Sequence, residues 1–265
     1  MNLINGVNLQ QAANAVYDID RRDDLTNLKT EDVIWCKTDY VYELFNKIKN
    51  RSEKFNLITH CSDYSITEVL FINKPKCINK WFAENADFQH PDLIPVPLGV
   101  ENHFTKNKGN NTDFNILDER VKNKIYNTNK INDKVFCNFR PTHPERQEAS
   151  HALLRAGISY FYPPTKDYSL YCEHLSSYLF IACPRGNGID THRLWETLYL
   201  GGIPIVKKHF MYDTYELPII QVNSWNDITE ELLTPYIDWY QCIPPKFNFE
   251  QLELDYWLNK IKSEI

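Results

Sequence analysis

The residues best placed to do chemistry fall in one run, FIACPRGNGIDTHRLWETLYLGGIPIVKK, from Phe180 to Lys208. Leu179 to Cys183 reads as a buried strand, PRGNGID as a loop, THRLWETLYLGG as a helix and IPIVKK as the next strand. Open α/β sheets bind ligands at the carboxyl ends of their strands, in loops of this kind. Helix amides at Thr191, His192 and Arg193 would face an anion at the positive end of the helix dipole. Gly186 and Gly188 admit a close backbone approach, with Asn187 and Asp190 completing the loop. Arg185 and Arg193 can add charge-assisted, bidentate hydrogen bonds to phosphate oxygens. A diphosphate suits such a loop. Glu196, more than one turn into the helix, can accept hydrogen bonds from two adjacent ribose hydroxyls. Plainer roles stand beside these: an exposed helix glutamate, a loop salt bridge for Arg185, and a simple turn for the glycine pair.

These residues need a parallel sheet to hold them, and the flanking sequence has that rhythm. Val33 to Cys36, Phe55 to His60, Lys134 to Phe139 and Ile158 to Tyr162 read as strands. Tyr40 to Lys49, Pro144 to Ala156 and Tyr168 to Tyr178 read as helices. Leu93 to Val100 carries two prolines and suits an edge strand. The Asn/Lys-rich stretch 105–133 reads as a linker between an N-terminal domain, 1–104, and a C-terminal domain, 134–265. The C-terminal stretch from Asp227 is helical in pattern, interrupted by Pro235 and by Pro244-Pro245. Trp195 and Tyr199, at helical spacing, are expected in the core.

Composition narrows the classes further. A formal charge of −6 argues against a nucleic-acid binder, which needs a basic face to neutralise phosphates. Seven cysteines without a CxxC pair read as free thiols of a reducing compartment. No basic-then-apolar leader and no run near about 18 apolar residues is present, so a cytoplasmic protein without a membrane span is expected. Asp18-Ile19-Asp20 matches the DxD pattern that holds a metal on a nucleotide-sugar, but it lies in a polar stretch. The scattered histidines lack HExxH spacing, so no metal site is expected. Hydrolase, P-loop and dinucleotide signatures are missing in a proper context.

The run 180–208 resembles the donor-binding region of exostosin-like glycosyltransferases. There, a PRG-type loop precedes a glutamate-bearing helix and a small-residue turn before an IPIV strand. NLITHCSDYSITE, INKWFAENADFQHPDLIPVPLGVE and VFCNFRPTHPERQEA resemble further parts of the same family in the same order. The resemblance implies an α/β protein of GT-B type, with two facing Rossmann-like domains. It implies inverting transfer of a sugar from a nucleotide-sugar, with UDP-xylose or another UDP-sugar as donor, to a glycan hydroxyl; with phosphate charge answered by Arg185, Arg193 and helix amides, no metal or other cofactor is expected. It also implies Arg140 and Arg146 as residues meeting the donor phosphates. Alternatives are a fucosyltransferase-like enzyme with another donor and a non-catalytic sugar- or nucleotide-binding domain. An inverting transfer needs a base on the N-terminal domain, and Asp63, on the loop after the strand ending at His60, is the expected one. His60 is the second candidate and Glu68 and Glu101 are weaker ones. The competing role for Asp63 is to cap a helix beginning near Ser65.

Overall fold

The computed structural model describes residues 3–102, 117, 132–242 and 247–264. Its chain divides into two compact units. The first comprises Ile4–Leu98, Gly188–Asp190 and Leu254–Ile265; the second comprises Met1–Leu3, Gly99–Asn187 and Thr191–Glu253. Two stretches assigned by sequence to the C-terminal domain, 188–190 and 254–265, thus cluster with the N-terminal sheet. The stretch read as a linker, 105–133, lies almost wholly outside the described residues.

The first unit is built on strands β1 (Ala15–Tyr17), β2 (Val33–Lys37), β3 (Phe55–His60), β4 (Ile78–Ala83) and β5 (Leu93–Pro95), all parallel and in that spatial order. A parallel sheet covered on both faces favours continuous apolar strands, and every residue of β3 is buried. Proline cannot donate to a ladder, and Pro95 sits on the edge strand. Helix α1 (Gly6–Leu9) precedes β1, α2 (Val41–Ile48) follows β2, and α3 (Glu68–Ile72) precedes β4. Trp81 anchors the core: Phe45 meets it edge-on and Phe71 stacks on it, while its indole N–H donates to Thr59 Oγ1 at 2.8 Å.

The second unit carries β6 (Asn132–Cys137), α4 (Pro144–Ala156), β7 (Ser159–Phe161), α5 (Tyr168–Ser177), β8 (Tyr178–Ala182), α6 (His192–Tyr199), β9 (Ile203–Lys207), α7 (Phe210–Asp213), β10 (Ile220–Val222) and α8 (Glu230–Cys242). Its five strands are again wholly parallel, in the order β10-β9-β8-β6-β7. Both units are therefore Rossmann-like α/β structures. Local signals explain the boundaries of α4: the His143 side chain accepts the Glu145 amide, Pro144 fills the first turn, and Gly157 ends the helix in the left-handed region at φ 69°. The expected break at Pro235 does not occur, because α8 runs through it. Pro235 and Glu231 are both exposed, so water can take the carbonyl that the missing N–H leaves behind. Trp195 and Tyr199 are fully buried, as their spacing predicts.

The two sheets differ in one functional respect. In the first, successive strands step in a single direction. In the second, the chain goes from β6 out to β7, then returns past β6 to β8 and continues to β10. The loops after β6 and β8 therefore leave neighbouring strands in opposite directions, and such a reversal opens a crevice at the carboxyl ends.

Candidate functional site

The reversal point of the second sheet gathers three of the expected arginines. Arg146, on α4 after β6, donates through Nε to the Arg185 carbonyl at 3.1 Å and through Nη1 to Thr142 Oγ1 and the Arg140 carbonyl. Arg185, after β8, donates through Nη2 to the Asn187 carbonyl at 3.0 Å, while its amide reaches Glu145 Oε1. Arg193, in the first turn of α6, donates to the Asn138 carbonyl at the end of β6 and lies over the Phe139 ring. The Nε atoms of Arg185 and Arg193 are buried without a hydrogen-bond partner. Buried N–H donors normally find acceptors, so this leaves capacity for an anion. Burial and the neighbouring Arg193 charge lower the pKa of Arg146. For Arg193 burial acts the same way, but Tyr171, Cys183 and Glu196 outweigh it and raise its pKa.

Glu196 is buried, not an exposed helix glutamate. Its Oε1 accepts the Tyr168 hydroxyl at 3.0 Å and its Oε2 accepts the Tyr171 hydroxyl at 2.9 Å. Burial and the adjacent Glu196 charge push both phenol pKa values well above the ordinary 10, so both remain donors. A carboxylate has about four lone-pair sites, and the two phenols take one at each oxygen. The tyrosines went unread in the sequence, although their i, i+3 spacing places them on one face of α5.

The glycine loop lies close against protein side chains. A Cβ on Gly186 would stand 3.0 Å from Arg146 Nη2, and one on Gly188 would stand 2.9 Å from Asn85 Nδ2. Their bareness thus admits protein side chains. Asp190 is buried in the first unit: its amide donates to Asn85 Oδ1 at 2.9 Å and its Oδ2 accepts the Leu98 amide at 3.0 Å. His192 donates through Nδ1 to the Gly99 carbonyl at 2.7 Å, and Thr191, the extended N-cap of α6, makes no side-chain capping bond. These contacts give Gly188, Asp190 and His192 partners within the protein. Arg140 is exposed.

In the first unit, His60 at the end of β3 is enclosed, with 1% of its side chain exposed, and pairs through Nδ1 with Glu84 Oε2 at 3.0 Å. Its Nε2 donates to the Pro97 carbonyl at 3.0 Å. Burial alone would favour the neutral ring, but the Glu84 carboxylate raises its pKa well above the ordinary 6.5. Glu84 Oε1 also accepts the Ser62 amide at 2.5 Å and so ties down the loop that follows β3. With both ring nitrogens engaged and no access to solvent, His60 is corrected from a candidate base to a structural residue. Asp63 is exposed on that loop, and the helix-capping alternative falls away because Thr67 caps α3. Among the described residues, no group of three His, Cys, Asp or Glu side chains is placed to hold a metal ion, and no helix is long and apolar enough to cross a membrane. The six cysteines with described side chains are free thiols. Compared with known proteins, the chain matches no family model and no curated protein.

Proposed function

We propose that this chain is an exostosin-like glycosyltransferase of the GT-B class that moves a sugar from a UDP-sugar to a glycan hydroxyl. The observation that carries the reading is the convergence of Arg146, Arg185 and Arg193 at the strand reversal, beside the buried carboxylate of Glu196. A nucleoside diphosphate presents that pairing, anionic oxygens next to a ribose diol. In the transfer, the acceptor oxygen bonds to the anomeric carbon as the bond from that carbon to the phosphate oxygen breaks. The electron pair leaves with the nucleoside diphosphate, whose charge the guanidinium groups answer, and the hydroxyl proton passes to Asp63. A thermal-shift screen of nucleotide-sugars tests the reading: a UDP-sugar should raise the melting point by mass action. A flat response across the panel would retire it.

Two further outcomes are expected. With phosphate charge answered by arginine, transfer survives EDTA; loss with EDTA and recovery with manganese would return Asp18 and Asp20 to the site. Asp63→Asn should cut transfer by about a hundredfold or more, the usual scale of a lost general base, while UDP affinity measured by calorimetry stays unchanged. Near wild-type turnover by the folded variant rules out Asp63 as the base.

A further inference from the structure

Asn85, two residues beyond the end of β4, is 1% exposed and holds φ 50°, in the left-handed region that asparagine tolerates. Its carboxamide is engaged at both ends: Nδ2 donates to the Ser62 carbonyl at 3.0 Å, and Oδ1 accepts the Asp190 amide at 2.9 Å. One orientation of the amide satisfies both bonds, and a flip would set donor against donor and acceptor against acceptor. Ser62 is thereby held at both of its backbone groups, since Glu84 takes its amide. Four residues on, the Ile66 amide donates to the Asn85 carbonyl at 3.0 Å. Asp63 lies between these two fixed points. Gly188 presses on the same carboxamide: a Cβ there would stand 2.9 Å from Nδ2 and 3.1 Å from Oδ1. The end of a side chain can usually yield to a methyl group, but this one cannot move without losing its bonds to Ser62 and Asp190. Ser62, Asn85 and Gly188–Asp190 all belong to the first compact unit.

We infer that Asn85 is a positioning residue for Asp63, tying the loop after β3 to the Gly188–Asp190 turn so that the two are ordered together. The role in transfer rests on the reading of Asp63 as the base; the tie between loop and turn does not. A base must lie within hydrogen-bond reach of the acceptor hydroxyl, so a loop released at Ser62 costs turnover and leaves the phosphate contacts of the second unit in place.

Hydrogen exchange on the full chain tests the tie without any ligand. Gly188→Ala, a change made in the turn, should speed exchange in the loop from Ser62 to Ile66 by about tenfold or more. In the Asn85→Gly background, where glycine accepts the left-handed backbone and the space is empty, the added methyl should change that exchange by less than about twofold. Unaltered exchange on Gly188→Ala alone, or equal acceleration in both backgrounds, overturns the tie. Should Asn85→Gly fail to fold, the response of the loop to Gly188→Ala decides by itself. Turnover tests the positioning: Asn85→Gly should lower kcat for transfer from a UDP-sugar by about tenfold, with the donor KM within about twofold. An unchanged kcat, or a loss confined to KM, overturns the positioning role. Absence of transfer by the wild-type protein removes the glycosyltransferase reading, while exchange still decides the tie.

Discussion

Arg193→Ala is expected to weaken UDP binding by about a hundredfold or more, the scale on which truncating one side of a buried charged contact operates. The side chain is held by the Asn138 carbonyl and lies over the Phe139 ring, so its guanidinium is pre-set for an anion. Arg193→Lys should lose about tenfold, since an ammonium keeps the charge but not the planar fork. Arg185→Ala should fall between them. Arg140→Ala should change affinity by less than about twofold, because what Arg140 supplies to Arg146 is its backbone carbonyl. Calorimetry with UDP on the four variants, with circular dichroism to verify folding, checks the order. Unchanged affinity in both Arg185→Ala and Arg193→Ala would mean that the reversal point is not the donor site.

The loop and helix of this site were legible because strand, glycine loop and helix follow one another within about thirty residues of chain. The partners of that loop were not. Gly186 and Gly188 read as openings for a ligand, yet their neighbours, Arg146 and Asn85, are 40 and 103 residues away, and no local pattern announces such a contact. Glu196 stood out by its place on the helix after the loop, but its two phenols come from a helix that reads simply as amphipathic. In the sheets, β8 is apolar throughout and declared itself, and β3 did so through Phe55, Leu57 and Ile58. By contrast, β4 was missed because Asn79 and Lys80 interrupt its apolar run, and β1 and β10 are only three residues long. The strand order of the second unit, which locates the crevice, is a property of long-range pairing that periodicity does not carry.

The second large effect concerns the first unit. Glu84→Ala should destabilise it by about 3–5 kcal/mol, because removing one partner of a buried pair leaves the other as an uncompensated charge. The pair sits with 1% and 0% of its side chains exposed, and Glu84 also holds the Ser62 amide. Stability should carry the imprint of His60. Its pKa is raised on folding, so its contribution is complete below the unfolded value near 6.5 and is lost as pH climbs toward the raised native value. Urea unfolding of the wild-type protein at several pH values from 6 upward should therefore show a decline on the alkaline side. In Glu84→Gln the counter-charge is gone, burial alone governs the ring, and that decline should disappear. An alkaline profile identical in the two proteins would mean that the His60–Glu84 pair contributes no pH-dependent stability.

The first unit is discontinuous in sequence, and its last piece, Leu254–Ile265, includes helix α9 (Leu254–Ser263), which packs on α1 with Trp257 and Ile261 buried. During synthesis, β1 to β5 emerge well over a hundred residues before the helix that covers α1. The N-terminal sheet can pair early, but its apolar surface stays open until Leu254–Ile265 has left the ribosome. The unit whose sheet is made first is thus completed only after the second sheet, and a chain cut after Glu253 loses a wall of the N-terminal unit rather than an appendage of the second.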